Sequence, residues 1–215
     1  LRIGASTTIA TYLLPGYLAR FRAAHPGVAL RISTANTRDV ARAVLERRVE
    51  IALVEGPVDD ARLLVLPWRK DELVIVAPAA NALARKQRAV LADLATAPFI
   101  TRERGSGTRD VAEAVLASHG VSLRIALHLS NTEAIMQAVA AGLGLAIVSR
   151  AAIEDHVALG RVAVLSIRGL SFPRALSELR LSGRAPSPAA AAFRLELHEA
   201  RGLARAPTAR PRAAR

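Results

Sequence analysis

The chain contains no cysteine. That absence removes disulfides, thiolate metal sites, iron–sulfur clusters and thiol nucleophiles together, and it fits a reducing compartment. Aromatic residues make up only 3%, so the core must be aliphatic. Apolar runs are short: Ala138 to Val148 falls well below the ~20 residues that cross a bilayer, and no membrane partner is expected. A signal-peptide pattern is missing too, since Leu1-Arg2-Ile3-Gly4 already reads as a strand, as in a domain cut at its edge. Catalytic signatures are also absent. There is no G-x-x-x-x-G-K and no G-x-S-x-G, and Asp110 stands where Gly105-x-Gly107 would need a third glycine. Gly142-x-Gly144 is followed three residues on by Ile147, and His25, His119, His128, His156 and His198 show no metal-binding spacing. No cofactor, metal or enzymatic activity is expected.

What remains is 215 residues, 52% hydrophobic and 22% charged, a globular composition long enough to bury its own core. Thirty Lys and Arg against 18 Asp and Glu leave +12, a balance that commonly signals a polyanionic partner. Part of that excess, Arg205, Arg210, Arg212 and Arg215, lies in the acid-free tail GLARAPTARPRAAR, where Pro and Ala predict disorder over 201–215. Elsewhere the cations are scattered, with no aromatic interleaving and no helix-turn-helix pattern. A solvated basic face is the plainer reading.

Periodicity predicts alternating elements. Ile3 opens a strand; Leu13, Leu14, Tyr17, Leu18 and Phe21 recur at helical spacing until His25-Pro26-Gly27. Val28, Leu30 and Ile32 alternate as a strand, Val40, Val44 and Leu45 mark a helix, and Ile51 to Val54 a buried strand. Two further strands are expected at Leu63–Leu66 and Leu73–Val76, then a short helix near Leu91 to Leu94. Strands at Phe99, Ile125–Leu129 and Leu145–Val148 enclose helices bearing Val111, Val115 and Leu116, then Ile135 and Val139. Val162–Val164 and Leu176–Leu181 read as strands and Pro188–Leu197 as a closing helix. This order predicts an α/β fold with largely parallel sheets.

Ligands of open α/β sheets bind at the carboxyl ends of the strands, and here those ends are polar throughout. They carry Ser6, Thr7 and Thr8; Asn36 and Thr37; Glu55; Thr101, Arg102 and Gly105-Ser106-Gly107-Thr108; and Ser130-Asn131-Thr132. Hydroxyls, amides and helix N-termini are hydrogen-bond donors, so the expected guest is a small polar molecule with an anionic group. Each residue also has a purely structural reading. Ser130 with Glu133 matches a capping box, and Ser6, Asn36 and Thr108 suit N-caps. The glycines around Ser106 serve either a tight turn or an open row of backbone N–H groups. Glu103 and Asp110 would make a carboxylate pair, but Arg102, Arg104 and Arg109 beside them predict ion pairing instead.

The segments LRIGASTTIATYLLPGYLARFRAAHPGVAL, ANTRDV, IALVEGP, DELVIVAP, PFITRERGSGTRDV and SNTEAIMQAVAAGLGLAIVSRAAI, in this order, resemble the effector-binding domain of LysR-type transcriptional regulators over roughly residues 1–200. The resemblance implies a fold like the type 2 periplasmic binding proteins, with two Rossmann-like lobes and a ligand cleft between them. Lobe I would comprise 1–77 plus 150–200 and lobe II 78–149, with the hinge at Ala77-Pro78 and Ser149-Arg150. Carried onto this sequence, it nominates Ser6, Thr7, Thr8, Asn36, Thr37, Thr101, Arg102, Ser106, Gly107, Thr108 and Asn131 as ligand-binding. Glu55 would receive an ammonium or a neighbouring arginine. The family's N-terminal winged helix-turn-helix is absent from the sequence, so the chain reads as the effector-sensing half of a cytoplasmic DNA-binding protein. The implied partners are a small anion, carboxylate or amino-acid derivative, a second copy of the chain in a homodimer or parent tetramer, and DNA only through the missing domain. Two other functions share the fold: a transporter's solute-binding protein and, more distantly, an enzyme that would turn its ligand over. RGSGTRD and AGLGLAIVSR favour the regulator.

Overall fold

The opening apolar alternation folds as β1 (Arg2–Ser6), followed by a π-helical turn (Ile9–Leu13) that runs into α1 (Leu14–Ala24). Pro15 sits in the first turn of α1, where its missing N–H has no intrahelical partner to lose. β2 (Arg31–Ala35), α2 (Thr37–Leu45) and β3 (Ile51–Glu55) complete a first strand–helix series. The two strands expected between residues 63 and 76 are a single one, β4 (Leu63–Pro78). Pro67 has no amide to donate, so the ladder slips between Pro67 and Arg69 and then resumes instead of ending. After it come α3 (Ala82–Arg85), α4 (Leu91–Thr96), β5 (Pro98–Arg102), α5 (Gly107–Ser118), β6 (Arg124–Leu129) and α6 (Thr132–Ala140). β7 (Leu145–Ser149), a 3-10 turn (Arg150–Ala152), α7 (Glu154–Ala158), β8 (Val162–Leu165), β9 (Phe172–Leu181) and α8 (Pro188–Leu203) close the chain. This computed structural model describes residues 1–85 and 89–203; the basic tail beyond 203 lies outside the described residues.

One sheet holds all the strands in the order β2-β1-β3-β9-β4-β7-β5-β6, with β8 paired to β4. Its outer pairs, β1–β2, β1–β3, β5–β6 and β5–β7, are parallel, as helical crossovers require. Its centre corrects the expectation of a largely parallel sheet: β3–β9, β4–β9, β4–β7 and β4–β8 are all antiparallel. The reason is connectivity. β4 carries the chain out of the first series and β9 brings it back, so the two run in opposite directions.

The cores follow this division. In the first half α1 and α8 cover Ile3, Ala5, Ile51, Leu53 and Leu176, and the scarce aromatics Tyr17, Phe21, Trp68 and Phe193 concentrate there. α2 covers the opposite face with Val40 and Val44 against Ala52, Val54 and Leu179. In the second half α4 and α5 pack on Phe99, Leu145 and Ile147, and α6 on Ile100, Ala146 and Val148. β4 and β9 belong to both: Trp68 and Leu176 pack in the first core, Leu73 and Phe172 in the second. Burying such a side chain contributes ~1.5–3 kcal/mol, so each half carries its own hydrophobic stabilisation and the two are joined through a narrow strand ribbon.

Candidate functional site

The carboxyl ends of β1, β2 and β3 lie side by side, since Ser6 pairs with Ala35 and Ala5 with Leu53. The first turns of α5 and α6, from the second half, meet them along two seams. In one, the Thr37 hydroxyl donates to the Glu55 carbonyl at 2.8 Å and accepts from the Gly107 N–H at 3.3 Å. The Arg38 N–H also donates to the Gly105 carbonyl at 3.2 Å. A Cβ on Gly107 would overlap the Glu55 carbonyl oxygen, so only glycine permits this approach. In the other seam the Thr8 and Thr132 hydroxyls meet at 3.2 Å, and Arg102 Nη1 donates to Thr132 Oγ1 at 3.2 Å. The Tyr12 hydroxyl donates to Glu133 Oε2 at 2.8 Å.

Adjoining these seams are four buried polar atoms that have no hydrogen-bond partner among the described residues: Ser6 Oγ, Thr7 Oγ1, Ser106 Oγ and Glu55 Oε1. Leaving a buried hydroxyl unpaired costs about 1–3 kcal/mol, so each of these groups keeps hydrogen-bonding capacity that the chain does not use. Ser106 is informative because it occupies the N-cap of α5 yet makes no capping bond. Asn36 and Asn131 do the opposite: their Oδ1 atoms cap α2 and α6, accepting from Asp39 N at 3.0 Å and Ala134 N at 3.1 Å.

Most of the other nominated residues already have protein partners. Thr8 and Thr37 hold the seams. Thr108 Oγ1 accepts from Arg174 Nη1 at 2.9 Å. Arg102, 2% exposed, donates to both oxygens of Glu103 at 2.9 and 3.0 Å. Arg109 pairs with Glu113 at 2.7 Å, so ion pairing prevails over a carboxylate pair in this loop. Thr101 lines a cavity of about 280 Å³ beside α5, with Phe99, Leu116 and Ile125. The Gly107 N–H is spent on Thr37, which leaves it unavailable to an anion. The Ser130–Glu133 capping box does not form, because Asn131 caps α6 and Glu133 is engaged elsewhere. Glu55, 1% exposed, uses its carbonyl in the seam while Oε1 meets neither an arginine nor any other partner.

Glu133 also accepts from Gln137 Nε2 at 2.7 Å and lies 3.1 Å from His156 Nε2. Burial pushes its carboxyl up, but the bonds from Tyr12 and Gln137 and the nearby His156 outweigh it and hold the group below its ordinary range. Tyr12 is pushed up, first by burial and then by Glu133. The stability contributed by Glu133 is therefore present above its unfolded pKa of ~4.3 and is lost as pH falls through the lower folded value. Glu133→Gln should flatten the fall in thermal midpoint between pH ~5 and ~3, measured by unfolding at several pH values.

Tyr12, Asp71, Glu133 and Arg174 are absent from the nominated set. Arg174 carries a usable signal, since it shares the inward register of β9 with Phe172 and Leu176. An arginine at a core position needs a polar partner. For Tyr12 and Glu133, which meet across 121 residues of sequence, no local pattern points to the contact.

Residues 1–202 match the family model of the LysR substrate binding domain. The chain belongs to this family. The LysR domain is 42% identical over 167 residues to the HTH-type transcriptional regulator YeiE of Escherichia coli K12, covering 78% of this chain and 57% of that protein. It is 33% identical over 177 residues to the regulator CysL of Bacillus subtilis 168, covering 82% and 59%. The chain thus spans somewhat more than half the length of these relatives. Among solved structures, the regulatory domain of Synechocystis PCC6803 CcmR in complex with 2-PG superposes with a TM-score of 0.86. That likeness has 27% identity and covers 93% of this chain and 95% of the other. Both relatives are transcriptional regulators, which favours the regulator reading over a transporter's solute-binding protein. Among the described residues no helix is long and apolar enough to cross a membrane, and no His, Asp and Glu cluster could hold a metal ion.

Proposed function

We propose that this LysR domain senses a small oxyanion or carboxylate held where the strand ends of one half face α5 and α6 of the other. The supporting observation is the set of buried, unpartnered hydroxyls of Ser6, Thr7 and Ser106, drawn from both halves. Hydroxyl donors and two helix N-termini favour negative charge. Arg102, already neutralised by Glu103, adds direction more than net charge. Glu55 Oε1 supplies an acceptor, so a ligand that also carries a donor, such as an amino-acid derivative or hydroxy acid, completes the set best.

In this reading the two halves are the lobes. The ligand bridges them and favours the closed arrangement, and the parent regulator reports that state to DNA through a segment outside this sequence. Such coupling requires different affinity for the open and closed states. The edge strands β2 and β6 expose Ile32, Ile125 and Leu127 and would supply the surfaces of a homodimer.

Thermal unfolding against a panel of inorganic oxyanions, carboxylates and amino-acid derivatives tests the reading. A ligand at a hundredfold excess over its Kd should stabilise the domain by ~2.7 kcal/mol. Ser106→Ala should leave the unliganded midpoint unchanged or slightly higher, because it removes an unpaired hydroxyl, and should weaken binding about tenfold. A panel with no selective shift, or an equal shift in the variant, contradicts the proposal.

A further inference from the structure

Asp71 and Arg174 face each other in the β4–β9 ladder where both strands pass from one core to the other. Arg174 Nε donates to Asp71 Oδ2 at 2.7 Å, and Ser149 Oγ, at the end of β7, lies 2.9 and 3.1 Å from the two oxygens of the same carboxylate. Three segments at the crossing are therefore tied to one carboxylate. The Arg174 and Asp71 side chains are 1% and 9% exposed, so these bonds are shielded from water. The ion pair alone would account for a structural role, but Arg174 makes one contact more. Its Nη1 donates at 2.9 Å to Thr108 Oγ1, in the first turn of α5 and two residues from the unpartnered Ser106 hydroxyl.

We propose that Arg174 is a positioning residue that couples the anion site to the crossing between the halves. It acts through Thr108, not by touching the ligand. Thr108 accepts from Arg174 through one lone pair, which leaves its own proton free for an anion beside Ser106. Once that proton is donated, the hydroxyl oxygen becomes a better acceptor for Arg174. Occupancy thereby tightens the hold of the Asp71 knot on α5, and the reverse follows by linkage: loosening the knot weakens the site. The inference rests on the proposed anion site and extends it to regulation.

A double-mutant cycle tests it, with Asp71→Asn, Thr108→Val and the double variant titrated with sulfate as the probe anion. Asp71→Asn should weaken sulfate binding about fivefold when Thr108 is present and have no effect when it is valine. Equal effects in the two backgrounds overturn the coupling. A ligand-free measurement separates this from the anion reading: Asp71→Asn should speed hydrogen exchange at the Asp110–Ala112 amides at least tenfold, with α1 amides unchanged. Unchanged exchange at α5 overturns the proposal. Absence of sulfate binding in every variant, with accelerated exchange, faults the choice of anion and leaves the coupling supported.

Discussion

Replacing Gly107 with alanine should force the two halves apart. The added Cβ would overlap the carbonyl oxygen of Glu55 and stand 2.9 Å from the Thr37 hydroxyl. Neither can give way cheaply. The Glu55 carbonyl belongs to β3, an interior strand held between β1 and β9, and Thr37 is fixed by its bond to that same carbonyl. Gly56, at φ +74°, closes the other side, since even a Cβ there would lie 2.9 Å from Gly107 Cα. The start of α5 must therefore retreat, breaking the Thr37–Gly107 bond and displacing Ser106. Overpacking of this kind costs about 1–3 kcal/mol, and contact against backbone places it at the upper end. A chain of this length should lose roughly 6–12 °C in Tm. Small-angle scattering should show a larger radius of gyration, and anion affinity should fall more than tenfold. Gly27→Ala, where nothing lies within 4 Å, is the control and should stay within ~0.5 kcal/mol of the parent. An unchanged Tm and scattering profile for Gly107→Ala would show that the seam is not close-packed in solution.

Glu178→Ala should cost still more stability. The carboxylate is 0% exposed on β9, where Oε1 accepts from Arg194 Nε at 2.5 Å and lies 2.8 Å from Arg180 Nε, while Oε2 lies 3.1 Å from His198 Nε2. Arg194 and His198 belong to α8, so this one group ties the closing helix to the sheet. Removing it strands Arg180, whose side chain is only 14% exposed, beside a cavity without its counter-charge. Breaking a buried ion pair from one side typically costs 3–5 kcal/mol. Urea unfolding should show a midpoint reduced in proportion, with the m-value kept if α8 stays docked. Glu178→Gln retains a side-chain acceptor and should fall between the two. A loss below ~1 kcal/mol for the alanine variant would mean that the cluster is hydrated and behaves as a surface network.

Much of the fold is legible because its elements are local. The alternation at Ile3 and the apolar run at Ile51–Val54 each specify their strand faces, and Asn36 and Asn131 announce their helices by capping chemistry. β4 is not, because a charged middle such as Arg69-Lys70-Asp71-Glu72 reads as a loop until β9 is present to pair with it. The site divides in the same way. Strand-end position names the loops from which the proposed site is drawn, yet it cannot separate a hydroxyl that is spent from one that is free. Thr37 resembles Ser106 in sequence, and only the partner brought from a distant segment, the Glu55 carbonyl, distinguishes them. Gly107, nominated for a backbone N–H open to a ligand, spends that N–H on Thr37 and matters instead for the atom it lacks against Glu55.

The free hydroxyls form a sensing site only if they bind an anion. Calorimetric titration of the anion giving the largest thermal shift, into the parent domain and into Ser6→Ala/Ser106→Ala, addresses this directly. One site per chain in the parent, weakened at least ~100-fold in the double variant with its fold intact, is the predicted result, at about 1.4 kcal/mol for each lost charge-assisted bond. Equal affinity in the two proteins would place the ligand elsewhere and contradict the assignment of the cleft.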